Sequence, residues 1–254
     1  MQFEEFDTFT AKLCKESERI ILAYFDDPNL EVISKSDDTP VTAADREAET
    51  MIRDAIETLY PEHGIMGEEF GSQNAASDYQ WVIDPIDGTK TFAAGTPLFG
   101  TMIALLKDGE PLYGSINYPG VRRRLSGDNA RAFANGKPIR ARSNVPLKDA
   151  LVMTTDIQSI AKHQNGANFE ELLAKTKFCR TWGDCFGYYL VAIGKADIML
   201  DPIMNPWDIM ALVPILRGAG AVITDWRGDN PAKGESCVAT NPDLHESVMN
   251  ILNQ

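Results

Sequence analysis

The sequence predicts a mixed α+β / α/β fold, with an N-terminal antiparallel-sheet half over residues 1–142 and a C-terminal α/β half over residues 143–254. Two patterns predict it. Between residues 98 and 138, strand-length apolar runs are separated by Gly-, Asp- and Asn-bearing turns, the mark of a meander of hairpins. Beyond about residue 142, strand-length runs alternate with helix-length ones, as in an α/β unit.

The first element is a helix. Phe3, Phe6, Phe9, Leu13, Ile20, Ile21 and Tyr24 recur at helical spacing with acids and lysines between them, so one face packs on a core. Asp26-Asp27-Pro28-Asn29 ends it. Residues 30–33 read as a strand and 35–40 as a polar loop. A second helix opens in the run from Val41 and continues through Ala48, Ile52, Ile56 and Leu59 to Tyr60-Pro61. Residues 64–69 form a strand leading to Glu68, and 70–78 a loop. Trp81-Val82-Ile83 is a buried strand expected to stop at Asp84, because Pro85 has no N–H for a central ladder. Asp87-Gly88 then turns the chain, since Gly accepts positive φ without steric penalty. The meander follows as strands over 99–106, 111–117, 122–126 and 130–133, with a further turn at 135–138.

In the second half, strands are predicted over 150–154, 177–180, 197–201, 221–224 and 237–239, and helices over 168–174, 183–194, 206–218 and 242–252. The 183–194 helix is too apolar to lie on a surface. Pro206 stands near the first position of its helix and Gly218 at its end. Nothing repeats at blade length, so the lone Trp207-Asp208 pair is no propeller signature.

A chain of 254 residues can bury one substantial core or two closely packed halves. Its net charge of −13 argues against non-specific nucleic-acid binding, which needs a cationic surface. No apolar run approaches a membrane span, and the opening Met-Gln-Phe-Glu-Glu-Phe-Asp lacks a basic region followed by an apolar one. A cytoplasmic protein without membrane partners is expected. Cys14, Cys179, Cys185 and Cys237 form no C-x-x-C pair, which indicates neither a zinc site nor a dithiol motif, and reduced thiols are expected. His63, His163 and His245 are far apart and read as surface or satisfied polar residues.

The chemistry concentrates in Asp84-Pro85-Ile86-Asp87-Gly88-Thr89. Two carboxylates three residues apart in a partly dehydrated place require either a cation or a raised pKa. Carboxylate and carbonyl oxygens suit hard divalent ions. The N–H groups of Gly88 and Thr89, just past the turn, suit an anion such as phosphate. Taken alone, the stretch also reads as an Asp-Gly turn whose acids face water.

Two further blocks, Gly67-Glu68-Glu69 upstream and Pro206-Trp207-Asp208 downstream, stand in the order and spacing that go with D-P-I-D-G-T. Together they resemble the inositol monophosphatase family of magnesium-dependent, lithium-sensitive phosphatases, over nearly the whole chain. The resemblance implies a layered α-β-α-β-α sandwich, a homodimer, and two or three Mg²⁺ ions. It places Asp84 as a bridge between two ions, Glu68 and the Ile86 carbonyl on one, and Asp87 and Asp208 on the other. It also implies that the loop before the second helix closes over the site and that Asp45 supports a catalytic Thr89. Without the family, Asp45 is a first-turn acid favoured by the helix dipole. The mechanism implied is in-line attack of water on phosphorus. Thr89 and Glu68 orient that water and receive its proton, and the Gly88 and Thr89 N–H groups clamp the phosphate. An aspartyl nucleophile is disfavoured by the Pro in D-P-I-D and by the match at G-E-E.

Substrate choice falls to Trp182-Gly183-Asp184-Cys185-Phe186-Gly187-Tyr188. This segment resembles the histidinol-phosphate phosphatase branch, as do Phe99-Gly100-Thr101 and Asp201-Pro202. Asp184 stands where inositol monophosphatases usually carry small neutral residues. Histidinol phosphate bears an ammonium and an imidazole, with which Asp184 and Asp201 could pair. Asp184 also reads as an N-cap, and both roles are compatible. Tyr188 and Tyr189 read as packing residues. The expected activity is Mg²⁺-dependent hydrolysis of L-histidinol phosphate, a small phosphate ester. An inositol-1-phosphate or broad sugar-phosphate phosphatase is the alternative enzyme, and a non-catalytic metal- or phosphate-binding regulator the alternative of another class.

Overall fold

The computed structural model describes residues 1–27, 31–34 and 40–254. Helix α1 (Phe3–Tyr24) is followed by a short antiparallel pair, β1 (Ile33–Ser34) and β2 (Pro40–Val41), and by α2 (Ala43–Leu59). Strands β3 (Gly64–Gly67), β4 (Gly71–Gln73), β5 (Tyr79–Asp87), β6 (Gly100–Lys107), β7 (Glu110–Tyr118), β8 (Arg123–Gly127), β9 (Ala132–Ala134) and β10 (Lys137–Pro138) form one sheet in the order β10-β9-β8-β7-β6-β5-β3-β4. All its neighbours are antiparallel except β3 and β5. A short helix, α3 (Thr89–Ala93), leaves the end of β5. The second sheet contains β11 (Leu151–Met153), β12 (Phe178–Arg180), β13 (Ile198–Asp201), β14 (Val222–Thr224) and β15 (Cys237–Thr240), in the order β12-β11-β13-β15-β14. Around it lie α4 (Ile157–His163), α5 (Gly166–Lys175), α6 (Asp184–Ala192), α7 (Pro206–Ile209), α8 (Leu212–Gly218) and α9 (His245–Leu252).

The strand period of two sorts the core into layers. On β5 and β6, Trp81, Ile83, Ile103 and Leu105 pack with Phe6, Phe9, Ile52 and Ile56 of α1 and α2. The alternate residues Val82, Met102, Ala104 and Leu106 belong to a cluster with α6 and α8. Those two helices reach Met153, Met199 and Ala239 of the second sheet. Its other face presents Val152, Ile198, Leu200 and Val238 to α4, α5 and α9. The layers therefore run α-β-α-β-α. Helix α6 lies between two sheets, which explains why its sequence has no polar face. Among the described residues no helix is long and apolar enough to cross a membrane.

Several elements differ from expectation. Strand β5 does not stop at Asp84. Its ladder with β6 pairs Asp84 with Met102 and resumes at Asp87 with Gly100, so a bulge takes Pro85 out of the ladder. Part of the loop expected at 70–78 is β4, an exposed polar edge strand, and the turn expected at 135–138 includes β10. Helices α3 and α4 were not expected. The single helix expected over 206–218 is two, α7 and α8, separated at Met210-Ala211. Pro214 offers no N–H to the Met210 carbonyl, and its ring crowds that group. Of the loop expected at 35–40, only Pro40 lies within the described residues; of the expected 30–33 strand, Leu30 lies outside them, as do Pro28 and Asn29 of the stretch expected to end α1.

Candidate active site

The bulge in β5 decides where the acids go. Asp84 shares the inward face of its partner Met102, at the edge of the central helical layer, and is buried. The Pro85 carbonyl accepts from Thr101 Oγ1 at 2.8 Å, which fixes the bulge from β6. Asp87 follows, and its carboxylate accepts the Cys185 N–H at the start of α6. Asp208 lies in the first turn of α7, its Oδ2 accepting the Asn205 N–H at 2.7 Å. One carboxylate oxygen from each of Asp84, Asp87 and Asp208 lies within 4.8 Å of the others. Glu68 arrives from the neighbouring strand. Its N–H donates to the Ile83 carbonyl at 3.2 Å just past β3, and its charge raises the pKa of both Asp84 and Asp208.

Electrostatics state the consequence. Burial, then the charges of Glu68, Asp87 and Asp208, push Asp84 well above the usual carboxylate range. Burial, then Asp184 and Asp208, do the same to Asp87. Asp208 is pushed up to about 7, first by burial and then by Glu68, Asp201 and Asp184 against the opposing Asn205 hydrogen bond. Among the described residues, the buried Asp84 Oδ1 has no hydrogen-bond partner. An unpartnered buried carboxylate oxygen within an oxygen-only cluster is the donor set a hard divalent cation completes.

The remaining predicted residues surround this cluster. The Ile86 carbonyl accepts from Thr89 Oγ1 at 3.1 Å, and the same hydroxyl lies 3.4 Å from Asp45 Oδ1. Asp45 is held in turn by the Thr42 N–H (2.8 Å) and hydroxyl (2.6 Å) at the start of α2. Burial raises its pKa against those bonds. Gly88 has φ 85°, and a Cβ there would stand 2.8 Å from Asp184 Oδ2, so both conformation and space demand glycine. Asp184 has φ 50°, donates its N–H to Thr155 Oγ1 at 2.8 Å, and accepts from Thr91 Oγ1 at 2.6 Å. Burial raises its pKa, while Thr91 and Lys90 oppose the rise. Asp201 is more engaged than expected. It accepts the Thr155 N–H at 2.9 Å and the Tyr188 hydroxyl at 3.0 Å, and burial pushes it up to about 6. Tyr188 is thus both packing residue and hydrogen-bond donor.

Asp87, Asp184, Asp201 and Asp208 line one cavity of about 210 Å³ with Lys90 and Thr155. Lys90, Thr155 and Asp184 also line its neighbour of about 390 Å³. Lys90, Thr91, Thr155 and Thr42 were not singled out in the sequence. Lys90 and Thr91 could have been, since they continue D-P-I-D-G-T; Thr155 carries no local signal and is recruited by strand order.

The profile of the inositol monophosphatase family matches residues 2–254. The chain belongs to that family. It is 38% identical to a histidinol-phosphatase of Chlorobaculum parvum, over 91% of this chain and 90% of that one. It is 37% identical to a histidinol-phosphatase of Mycobacterium tuberculosis, over 89% of each. Among solved structures, an inositol monophosphatase from Zymomonas mobilis superposes with a TM-score of 0.89 and 33% identity, over 100% of both chains. As a member of the inositol monophosphatase family, the chain has that family's layered fold and is a phosphoric monoester hydrolase.

Proposed function

We propose that the protein is a Mg²⁺-dependent phosphatase that hydrolyses L-histidinol phosphate to L-histidinol and phosphate. The observation that carries the reading is Asp184, a carboxylate on the wall of the cavity shared with Asp87 and Asp208. The likeness to two histidinol-phosphatases over about nine-tenths of the chain supports it. Glu68, Asp84, Asp87, Asp208 and the Ile86 carbonyl would hold two or three Mg²⁺ ions. Bound there, Mg²⁺ supplies positive charge against the phosphate oxygens and makes water a stronger acid.

The chain's own groups do the rest. Thr89, with Asp45 and the Ile86 carbonyl as its oxygen partners, directs its hydroxyl lone pairs toward the water, and Glu68 receives the proton; as the water oxygen bonds to phosphorus the ester P–O bond breaks, and the departing histidinol oxygen takes a proton from solvent. The Gly88 and Thr89 N–H groups, at the turn before α3, hold the phosphate. Asp184 and Asp201 face the cationic end of the ester, where an ammonium would offset the burial that now raises both pKa values. Residues 1–142 thus supply most metal ligands and residues 143–254 the substrate wall and Asp208. The enzyme is proposed to act as a cytoplasmic homodimer.

Phosphate release from L-histidinol phosphate and from myo-inositol 1-phosphate, measured side by side, tests the substrate. The expected result is a clear preference for the histidinol ester, lost in Asp184→Ala through a KM roughly tenfold or more higher for that ester alone. Preference for the inositol ester would overturn the substrate assignment. No release from either would favour the regulator.

A further inference from the structure

Helix α2 presents Asp45, Glu49 and Arg53 at intervals of four, hence on one face. Asp45 reaches Thr89. Glu49 and Arg53 have no part in the chemistry described above, yet both are buried, Glu49 completely. Their partners lie on the segment around Glu68. Glu49 Oε2 accepts the Glu69 N–H at 2.8 Å, and Oε1 accepts the Phe70 N–H at 3.2 Å. Arg53 Nε donates to Glu49 Oε1 at 2.7 Å, its Nη2 donates to the Gly71 carbonyl, and its guanidinium lies 6.0 Å from the Phe70 ring centre. Any side chain at Gly67 would collide with the Glu49 carboxylate, so the backbone passes directly against it.

Glu68 is therefore fixed on both sides. The peptide before it is tied to β5 through the Ile83 carbonyl, and the peptide after it is tied to α2 through Glu49. Fixing both flanking peptide planes sets φ and ψ of Glu68 and so the direction in which its side chain leaves the backbone. We propose that Glu49, held by Arg53, is a positioning residue that aims Glu68 into the metal cluster. This rests on the reading of Glu68 as a metal ligand. A buried carboxylate is costly in a purely structural role, since an apolar contact would pack α2 on this loop as well. Its acceptance of two consecutive N–H groups is what an apolar residue could not reproduce.

The test is Mn²⁺ affinity measured by electron paramagnetic resonance on the intact, metal-stripped protein, without substrate. In Glu49→Gln one acceptor oxygen becomes a donor that opposes the backbone N–H it faced. The Mn²⁺ Kd is expected to rise roughly tenfold to a hundredfold, the range for groups that orient metal ligands. kcat should recover at saturating Mg²⁺ with the ester KM unchanged. Ile56→Val, a buried truncation on the same helix, controls for lost stability and should leave Kd within about twofold. Should Glu49→Gln not fold, Arg53→Lys removes the fork that joins Glu49 to the Gly71 carbonyl and is expected to weaken Mn²⁺ binding roughly tenfold. Glu68→Gln separates the two ideas. If it weakens binding while the Glu49 and Arg53 variants match Ile56→Val, the positioning role is overturned. If Glu68→Gln itself binds Mn²⁺ like the wild type, the ligand reading falls and the inference with it.

Discussion

Asp208→Asn should make the metal-free protein more stable. Asparagine keeps an oxygen that can accept the Asn205 N–H, so the cap on α7 survives while the charge is removed. Asp208 stands at about 7 against an ordinary 3.8. That gap corresponds to about 4 kcal/mol opposing ionisation. Asp208 is only partly buried, and solvent screening reduces this to about 2 kcal/mol. Geometry gives the same order: two full charges at the outer distance of 4.8 Å repel by about 3.5 kcal/mol at an effective dielectric constant near 20. The sign follows from proton linkage. Between pH 4 and 7 folded Asp208 keeps a proton that the unfolded chain has released, so metal-free wild-type stability falls as pH rises through that window. In EDTA at pH 8, Asp208→Asn is therefore expected to melt about 4–8 °C above the wild type, and the gain should vanish near pH 4. With Mg²⁺ about a hundredfold above its Kd, the wild type alone gains about 2.7 kcal/mol, and the order reverses. Thermal denaturation at the two pH values, with EDTA and with Mg²⁺, reads all of this. A variant less stable than the wild type in EDTA at pH 8 would refute the reasoning, because the carboxylate would then be a net stabiliser.

Other substitutions separate chemistry from scaffold. Asp84→Asn, which alters a buried site oxygen without a hydrogen-bond partner among the described residues, should lower kcat/KM about a thousandfold or more with the circular-dichroism spectrum unchanged. Thr89→Ser should stay within about tenfold of wild-type kcat while Thr89→Ala loses roughly a hundredfold or more, as steady-state rates will show, because only serine keeps the oxygen beside Asp45 and Ile86. Asp197→Ala should destabilise by about 3–5 kcal/mol in urea titration yet leave kcat per folded molecule unchanged. Asp197 is fully buried far from the cluster in role, accepting from Arg142, from the Leu151 N–H at 2.8 Å and from Asn241 at 3.0 Å.

Most of the architecture was legible because strand and helix periods survive in the apolar pattern. The unbroken apolar runs 81–83 and 102–106 report strands covered on both faces, and the apolar 183–194 run reports a helix with no solvent side. The failures share a cause: a backbone device that the local pattern does not display. Pro85 read as a stop is a bulge, because the ladder can step over a missing N–H and resume at Asp87. Pro214 inside an apolar run broke a helix that the pattern alone extends. At the proposed site, the clustering of Asp84 and Asp87 was legible because acids, turn and glycine are contiguous in D-P-I-D-G-T. Thr155 and Tyr188 were invisible there. Thr155 reaches Asp184 and Asp201, and Tyr188 reaches Asp201, because β11 and β13 are neighbours and α6 packs against the face of their sheet.

The placement of the acids also explains why a fold would tolerate them. Asp84 and Asp87 sit at the end of β5, Glu68 just past β3, Asp208 in the first turn of α7 and Asp184 in that of α6. Asp208 and Asp184 lie in helix first turns, where backbone N–H groups are unpaired and the helix dipole favours negative charge. The Asn205 and Cys185 N–H groups are used in this way, on Asp208 and Asp87. Such bonds soften the repulsion without cancelling it, since the pKa values remain raised. The layers on either side provide the burial that stabilises the fold, and the cluster subtracts from it. In the proposed metal site, the repulsion that destabilises the metal-free protein is relieved by a bound cation and so contributes to its affinity. A substitution that relieves the repulsion should weaken cation binding by a comparable free energy, and no variant of these carboxylates is expected to improve both.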